Sequence, residues 1–471
     1  MTATLLLGGY FGAFALLTFF ALHRLWLLRW ASGPGPCAPS VHSGELPTIT
    51  IQLPLYNERF VAGRLLGAVF ALDYPRHLLQ VQVLDDSSDD TTARIAATIK
   101  QLAPPDLVVE HIRRAARTGY KAGALAHGAR HARGAFTLIL DADFLPQPSL
   151  LRALLPAMSD PQVGMVQARW THLNRSANRL TAAQALLLDA HFLLETNAWY
   201  RAQLFFNFHG TAGLWRTAAI ADAGGWQADT LTEDLDLSYR AQMRGWRFVF
   251  MDQIAVPAEL PETLAAFKQQ QARWAEGTMA TARKHLPTLW RGNWALRVKW
   301  EASMHLLAHC IYPATLLLAL LALPALWTRR ELAQPWWLLA DLVLALGIIV
   351  PTRVFYRRAA RLAGTRVPGI SDFPWLMLTG VALAITNTRA VCAGLRRRPA
   401  AFVRTPKFAD AAKGMRCDYD VRGRRLWRVL EGSMAAYLFC GACAAAWLGM
   451  PVAVPMLSFL ALAFGLSSAR G

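Results

Sequence analysis

Residues 137–144 read TLILDADF, a short apolar run that ends in two carboxylates, and this pattern decides the fold. Similar apolar or β-branched runs, each followed by a polar loop, occur earlier in the chain, at residues 48–53 (TITIQL), 81–84 (VQVL) and 107–112 (LVVEHI). Stretches of helical character lie between them, at residues 62–71 and 92–101. This alternation predicts an α/β fold with a doubly wound, mostly parallel sheet, and such sheets bind ligands at the carboxyl ends of their strands.

The composition places this α/β region inside a membrane protein. The chain has 471 residues, a formal net charge of +18 and only 17% charged residues, against about 25% in soluble domains. Most acidic groups fall between residues 46 and 300, and strongly apolar stretches lie on both sides. Arginines adjoin the apolar runs, as at Arg24, Arg29 and residues 353–361, which is typical of the cytoplasmic ends of spans and argues against nucleic acid as a partner. The six cysteines show no disulfide framework.

Several apolar stretches are long enough to cross a lipid bilayer, beginning with Leu5–Leu28, which we interpret as an uncleaved anchor. The stretch Phe373–Cys392 is apolar but contains polar side chains, and Arg-rich loops lie on both sides of it. Because both loops should be cytoplasmic, we predict that it lies at the interface or re-enters, which gives five spans. The predicted parts are an anchor (1–31), a cytoplasmic domain with interfacial helices (46–286), two transmembrane helices (301–356), the interfacial segment (370–428) and a transmembrane hairpin (429–471).

Asp141 and Asp143 form the D-x-D pattern that ends the run TLIL. Two carboxylates at the end of a buried strand can hold a hard divalent cation, Mg²⁺ or Mn²⁺, through oxygen ligands. Such a cation can bridge the phosphates of a nucleotide donor and neutralise the leaving diphosphate. A solvated loop is the alternative interpretation of so short a motif.

Asp85 and Asp86 end the earlier run in VLDDSSDD, residues 83–90. An aspartate at this place can accept a hydrogen bond from a ring N–H of a nucleotide base. The alternative is an N-cap for the helix that begins near Thr92, a role that Asp89 or Asp90 would serve equally well.

Thr232, Glu233 and Asp234 precede a predicted helix. One of the two carboxylates can act as a general base that takes a proton from an acceptor hydroxyl. Capping of the helix start is the alternative, and both roles can coexist in one loop.

A fourth cluster, Gln269 to Trp274 (QQQARW), lies in a predicted helix. Arg273 can bind a diphosphate through two parallel hydrogen bonds, and Trp274 can stack on the face of a sugar. The alternative is an amphipathic helix at the membrane surface with its tryptophan at the interface.

The four clusters together are far more specific than any one of them, and the chain resembles a known family. It is similar to the processive inverting glycosyltransferases of family 2, which include cellulose synthases, and most similar to the cellulose-synthase-like mannan and glucan synthases and their bacterial relatives. The resemblance is carried by QLPLYNE (52–58), VLDDSSDD (83–90), RTGYKAGAL (117–125), DADF (141–144), GTAGLWR (210–216), TEDLDL (232–237) and QQARW (270–274).

The resemblance implies a nucleotide-diphospho-sugar transferase fold of the GT-A type, with a mixed sheet covered by helices on both faces and an added transmembrane helical bundle. It implies that Asp234 is the general base and that Asp141 and Asp143 bind the metal. The implied donor-binding residues are Tyr56, Asp85, Asp86, Lys121, Asp141, Asp143 and Arg273. The implied acceptor-binding residues are His209, Gly210, Thr211, Glu233, Gln270 and Trp274.

Two places depart from the family pattern. His209 stands where the relatives usually carry Asn, which is consistent with a different acceptor or linkage and equally with a neutral replacement. The stretch FVRTPK, residues 402–407, resembles the gating loop of bacterial cellulose synthases, in which Phe402, Thr405 and Lys407 would close over the donor, although Arg404 departs from that pattern.

The resemblance implies an enzyme that polymerises a β-linked polysaccharide from a nucleotide-sugar donor, UDP-glucose or GDP-mannose, and extrudes the growing glycan through the lipid bilayer. We expect a multi-pass protein of the cell inner membrane with its catalytic domain in the cytoplasm. A non-processive transferase that adds one sugar to a lipid carrier is the nearest alternative, and a transporter without catalysis is another. The sequence leaves open the donor sugar, the linkage and the need for an export or periplasmic partner protein.

Overall fold

The computed structural model describes residues 2–31, 44–332, 336–396 and 424–470. Within these ranges one seven-stranded sheet has the order β3-β2-β1-β4-β6-β5-β7. Strand β6 is antiparallel to both of its neighbours, and the other neighbouring pairs are parallel. The strands are β1 (Ile49–Leu55), β2 (Leu79–Asp85), β3 (Val108–Arg113), β4 (Phe136–Ile139), β5 (Val163–His172), β6 (Gly213–Arg216) and β7 (Arg247–Ala258).

The four strands expected from the sequence correspond to β1–β4, and the mixed sheet confirms the predicted α/β fold class. The helices that accompany the sheet, within residues 62–306, are α2 (Ala62–Phe70), α3 (Thr91–Leu102), α4 (Tyr120–Ala129), α5 (Leu150–Leu154), α6 (Arg179–Ala190), α7 (Asn197–Arg201), α8 (Thr217–Asp222), α9 (Glu233–Met243), α10 (Leu264–Arg291) and α11 (Leu296–Leu306). The remaining helices are α1 (Thr2–Ala31), α12 (Ile311–Leu332), α13 (Trp336–Leu362), α14 (Asp372–Val381), α15 (Ala384–Leu395), α16 (Arg424–Trp447) and α17 (Val454–Arg470).

The central strand β1 is buried on both of its faces. Ile49, Ile51 and Leu53 belong to the hydrophobic core that also contains residues of α2 and α5. The alternate positions face the other way and carry buried polar side chains, so that Thr50 donates to Gln80 Oε1 at 2.8 Å. These polar groups are hydrogen-bonded across the strands, which removes the cost of burying them.

A second hydrophobic core lies against the other face of the sheet and joins it to the apolar helices. Residues of α4, α6 and α9 form its centre, and it also includes Leu27 of α1 and Phe355 of α13. The sheet and its helices are therefore packed directly on two of the long apolar helices, α1 and α13, which fixes the sheet relative to the helical bundle.

In the described ranges, five helices are long and apolar enough to cross a membrane, by length and composition: Ala3–Ala31, Ala308–Leu332, Trp336–Leu362, Arg425–Trp447 and Pro451–Ala469. The segment 373–392 forms the pair α14 and α15, bent by 41° at a short break. Its interfacial or re-entrant placement, and the boundaries of the five predicted parts, stay predictions. The gating-like residues 402–407 lie outside the described residues.

The two transmembrane helices expected over residues 301–356 begin later than residue 301. Helix α11 ends at Leu306, a short turn follows, and α12 begins at Ile311. Near the end of α11, His305 Nδ1 lies 3.0 Å from the Oη of Tyr239 in α9. Helix α11 is therefore in contact with the part of the chain that forms the sheet and its helices.

Candidate active site

The carboxyl ends of the neighbouring parallel strands β2, β1 and β4 meet at one edge of the sheet and border a cavity of about 180 Å³. The loops after these strands were predicted to meet there, and most of the candidate site residues line the cavity. They are Tyr56, Asp86, Lys121, Asp141, Asp143, His209, Gly210, Glu233, Asp234, Gln270, Arg273 and Trp274. Among candidates in the described ranges, Asp85 and Thr211 do not line it.

Asp85 lies beneath the cavity, 1% exposed. Its carboxylate accepts hydrogen bonds from the backbone N–H of Ser87 at 2.9 Å and from Thr92 Oγ1 at 2.7 Å, and His111 Nε2 lies at 3.0 Å. Burial alone would raise the pKa of Asp85, but these hydrogen bonds lower it well below its ordinary value. The geometry therefore supports a role in shaping the loop rather than contact with a nucleotide base. At the start of α3, Asp89 rather than Asp85 binds a free backbone N–H, because its Oδ1 accepts from the N–H of Thr91 at 3.0 Å.

Asp86 and Tyr56 do reach the cavity, and each is held by an arginine that was not assigned a role from the sequence. Arg114 donates to both carboxylate oxygens of Asp86, through Nε at 2.9 Å and through Nη2. The guanidinium of Arg117 lies 3.4 Å from the centroid of the Tyr56 ring. Arg117 stands in the quoted stretch RTGYKAGAL, and this was the available signal. The Arg114–Asp86 ion pair is neutral overall, so Arg117 supplies the positive charge at this end of the cavity.

Lys121 joins three loops of the site. Its Nζ donates to Asp141 Oδ1 at 2.6 Å and to the backbone carbonyl of Gly210 at 2.9 Å, and it lies 3.8 Å from Glu233 Oε1. Burial lowers the pKa of Lys121, but the charges of Asp141 and Glu233 outweigh it and raise the pKa. The ammonium is therefore a fixed positive charge in the middle of the site. Thr211 holds the backbone of Asp141 in place, because its Oγ1 accepts the N–H of Asp141 at 2.9 Å.

Asp234 lies in the first turn of α9, beside Glu233. Burial, followed by the charge of Glu233, raises the pKa of Asp234 to about 7, while Lys121 opposes the shift. Burial, and to a smaller extent the charge of Asp141, also raises the pKa of Glu233, while Lys121 opposes the shift. A carboxyl group whose pKa is near neutral is well matched to general-base chemistry. Thr232 is the N-cap residue but makes no side-chain cap bond. Asp234 Oδ1 accepts the N–H of Leu235 at 2.8 Å, so this carboxylate also contributes to the start of the helix.

Gln270, Arg273 and Trp274 enter the cavity from α10, a helix that begins after Thr263 and runs for 28 residues. Burial lowers the pKa of the Arg273 guanidinium, and the nearby charges of Glu233 and Asp141 oppose this shift. Arg273 therefore faces the carboxylates across the cavity. This arrangement puts a cation opposite the metal-type carboxylates, where a diphosphate would be held between them.

The predicted divalent-cation site can be compared with the side chains that are available to bind a metal. No group of three His, Cys, Asp or Glu side chains that could hold an ion is found in the part of the chain that the structure describes. Asp141 and Asp143 offer two carboxylates, and Asp143 also lies 3.4 Å from the backbone N–H of Glu259. Mg²⁺ and ions like it are commonly held by one or two carboxylates together with substrate phosphates and water. The residues present therefore fit a cation that arrives with, and is completed by, a diphosphate.

His209 belongs to a hydrogen-bonded group that the sequence analysis missed. Its Nε2 lies 2.9 Å from His191 Nε2, and His191 Nδ1 lies 2.8 Å from Glu195 Oε2. Burial lowers the pKa of His209 well below its ordinary value, with further lowering by His191 and His305, so the ring is neutral. His191 and Glu195 lie in a π-helical turn, His191–Thr196, a feature common at functional sites.

A second cavity, of about 1230 Å³, begins at the same residues and continues between the apolar helices. Asp234, Gln270, Trp274 and His209 line both cavities. At its other end the large cavity is bordered by residues such as Trp337 of α13. Asp234 thus stands at the junction between a small cavity that contains many charged side chains and a larger space between the apolar helices.

Comparisons with known proteins agree with this geometry. Residues 47–277 match the family model described as Glycosyltransferase like family 2. Glucomannan 4-beta-mannosyltransferase 2 of Arabidopsis thaliana is 40% identical over 247 residues, which are 51% of this chain and 46% of that protein. The chain thus spans less than half the length of this relative. Glucomannan 4-beta-mannosyltransferase 1 of Oryza sativa subsp. japonica is 32% identical over 430 residues, covering 86% of this chain and 78% of that protein.

Among solved structures, the mannosyltransferase PcManGT from Pyrobaculum calidifontis, in complex with GDP-Man and Mn²⁺, aligns with a TM-score of 0.56 and 22% identity. The alignment covers 84% of this chain and 99% of that one, and it shows the shared fold. The family model and the rice relative confirm the resemblance stated from the motifs. The chain belongs to the family 2 glycosyltransferases, in the cellulose-synthase-like group.

Proposed function

We propose that this protein is a membrane-integrated, inverting glycosyltransferase that polymerises a β-linked, mannose-containing polysaccharide from a nucleotide-sugar donor. The position of Asp234 at the junction of the two cavities is the observation that carries the proposal. The small cavity has the charges to hold a nucleoside diphosphate, and the large cavity, of about 1230 Å³, has the volume to hold several sugars. GDP-mannose is the favoured donor because the relatives are named as glucomannan mannosyltransferases.

The donor would lie with its base near Tyr56 and Asp86 and its diphosphate between Asp141 and Arg273. A divalent cation held by Asp141 and Asp143 would neutralise the charge on the leaving diphosphate. Lys121 and Arg273 supply fixed positive charge on the same side, and such preorganised charge is usually the largest single contribution to catalysis. The sugar's anomeric carbon would then point toward Asp234.

The acceptor would enter from the large cavity with its terminal hydroxyl near Asp234. The Asp234 carboxylate takes the proton of that hydroxyl as its oxygen attacks the anomeric carbon, and the nucleoside diphosphate leaves from the opposite face. One displacement inverts the configuration, so an α-linked donor gives a β-linked product. Trp274 lies in both cavities and provides an aromatic surface on which the terminal sugar can stack.

The direction of the large cavity supports polymerisation with export. The cavity leads away from the catalytic region between helices that are long and apolar enough to span a bilayer. Arginines near the ends of these helices on the catalytic side favour a cytoplasmic catalytic domain in a multi-pass protein of the cytoplasmic membrane. The same proposal includes a partner protein that binds or exports the glycan on the far side of the membrane.

The test is synthesis by the purified full-length protein in detergent. GDP-mannose and UDP-glucose are offered separately with Mn²⁺ or Mg²⁺, and the product is sized and digested with linkage-specific hydrolases. We expect a polymer that β-mannan hydrolases degrade when GDP-mannose is present. A product that carries one added sugar on a lipid would instead support the non-processive alternative and contradict polymerisation.

A further inference from the structure

A buried ion pair joins helix α10 to the apolar helices α16 and α17. Lys268 Nζ donates to both carboxylate oxygens of Glu431 in α16, each at 2.8 Å, and to the backbone carbonyl of Ser467 in α17 at 3.1 Å. Ser467 Oγ in turn donates to the backbone carbonyl of Ala382, between α14 and α15, at 2.9 Å. Lys268 is 8% exposed and Glu431 is 1% exposed. We call Lys268 and Glu431 the anchor pair.

The anchor pair lies behind the active site rather than in it. Neither Lys268 nor Glu431 lines the small or the large cavity. Successive residues of an α-helix are about 100° apart around its axis, which places Gln270, Arg273 and Trp274 at about 200°, 140° and 240° from Lys268. The anchor pair therefore holds the face of α10 that is opposite to the face bordering the small cavity.

A close helix contact holds α10 on the other side of the cavity-lining segment. A Cβ atom added at Gly394 of α15 would overlap the backbone carbonyl oxygen of Glu276, which stands two residues after Trp274. Small residues allow the backbones of two helices to approach each other in this way. The segment 270–274 therefore lies between two fixed points, and both are supplied by helices of the apolar bundle.

The anchor pair is a poor source of stability, because replacing a buried ion pair with apolar side chains of similar volume is often neutral or stabilising. Its specific contribution is geometric. An ammonium held by two carboxylate oxygens at 2.8 Å fixes the spacing of two helices, whereas apolar contacts allow them to slide. Because Arg273 and Trp274 stand on α10 and Asp234 stands on α9, the placement of α10 sets their relative positions. A displacement of about 1 Å at such groups lowers the rate by about 10²-fold.

We propose that Lys268 and Glu431 are positioning residues for sugar transfer. The anchor pair sets the placement of α10 against α16 and α17, so that Arg273 stays within reach of the donor diphosphate and Trp274 within reach of the terminal sugar. Neither member of the pair touches the donor or the acceptor. This inference rests on the proposed function, since it takes Arg273 and Trp274 to bind the donor and the acceptor.

The experiment uses the full-length protein in detergent and measures two quantities for each variant: kcat for sugar transfer and the temperature of thermal unfolding. Glu431→Asp keeps both charges of the anchor pair but shortens one side chain by a methylene group. The double variant Lys268→Arg/Glu431→Asp lengthens the partner side chain to compensate, and Lys268→Met/Glu431→Leu replaces the pair with apolar side chains. Glu331→Asp is the matched control, because it makes the same shortening at an exposed carboxylate of α12 that accepts from Trp327 Nε1 at 2.8 Å.

We expect Glu431→Asp to lower kcat by about tenfold, part of the loss that a displacement of about 1 Å causes, with no change in unfolding temperature. Lys268→Arg in the same chain should restore most of that kcat, and Glu331→Asp should behave as the wild type. The apolar pair should keep the unfolding temperature and still lose kcat, because it replaces the burial but not the fixed spacing.

Three results would overturn the inference: wild-type kcat in Glu431→Asp, full activity of the apolar pair, or a parallel fall of kcat and unfolding temperature that Lys268→Arg does not reverse. The proposed function fails separately. A wild-type protein that adds only one sugar would contradict polymerisation, but its kcat would still show whether the anchor pair positions α10.

Discussion

A Cβ atom added at Gly210 would lie 2.7 Å from Oδ2 of Asp234, closer than nonbonded atoms can approach. Gly210 also has a φ of +84°, a conformation that glycine adopts without strain. The carbonyl of the same residue accepts the hydrogen bond from Lys121 Nζ at 2.9 Å. The loop that carries Gly210 thus lies directly against the proposed base, Asp234. Because Gly210 has no side chain, the Asp234 carboxylate can occupy this position.

Gly210→Ala is expected to lower kcat by about 10²-fold, since a displacement of about 1 Å at a reacting group is enough for such a loss. Gly225→Ala is the matched control, because Gly225 has a φ of +69° but open space around its Cα. Both variants carry the backbone strain, and only the first displaces Asp234. Steady-state kinetics with both variants check the prediction, and equal losses would contradict it.

Asp234→Asn is expected to lower kcat by about 10²- to 10⁴-fold, the usual contribution of a positioned general base. The donor Kd should change little, and calorimetry without acceptor measures it. Because the pKa of Asp234 is raised to about 7 and the base must be ionised to accept a proton, the wild-type rate should fall as the pH drops below about 7. A rate that stays level down to pH 5, or an asparagine variant with full activity, would exclude Asp234 as the base.

The adjacent residues Asp85 and Asp86 should behave differently when each is changed to asparagine. Asp85→Asn disturbs a buried carboxylate that accepts several hydrogen bonds, so we expect a loss of about 2–4 kcal/mol in the free energy of unfolding. Asp86→Asn should mainly raise the KM for the donor. Thermal unfolding and donor titration of both variants test this, and a reversed pattern would return the base-binding role to Asp85.

Glu195→Gln is expected to disturb acceptor binding through two histidines. The Glu195 carboxylate accepts from His191 Nδ1, and His191 Nε2 lies 2.9 Å from His209 Nε2, so the carboxylate orients the ring that contacts His209. A glutamine amide is uncharged and can donate as well as accept, so it no longer fixes this ring in one orientation. We expect the KM for a short glycan acceptor to rise by about tenfold, equivalent to about 1.4 kcal/mol, with the donor KM unchanged. Equal changes in both constants would point to a general structural defect.

Removal of divalent metal should abolish transfer. EDTA is expected to stop the reaction and added Mn²⁺ or Mg²⁺ to restore it, because Asp141 and Asp143 provide a hard oxygen donor set. Asp143→Asn should raise the metal concentration that gives half-maximal activity, whereas Asp73→Asn, at an exposed surface ion pair with Arg152, should not. Full activity after dialysis against EDTA would contradict a metal-dependent site.

The sequence by itself determined the class of the fold and most of the site. Apolar runs that end in polar loops, alternating with helices, were sufficient to predict β1–β4 and their parallel arrangement. Because the carboxyl ends of parallel strands share one edge, the loops at Tyr56, Asp86 and Asp141 could be expected to meet. The family motifs added the roles of these residues, and the long apolar stretches marked the candidate spans.

Only the tertiary structure showed which of two neighbouring residues reaches the cavity. Asp85 and Asp86 are adjacent and chemically identical, and only the packing of His111 and Thr92 around the first shows that it lies beneath the cavity. The pairing of β5 with β7 and the contact between Tyr10 and Asp341 join residues that are distant in sequence. A contact of that kind depends on the folded path of the chain rather than on any local pattern of residues.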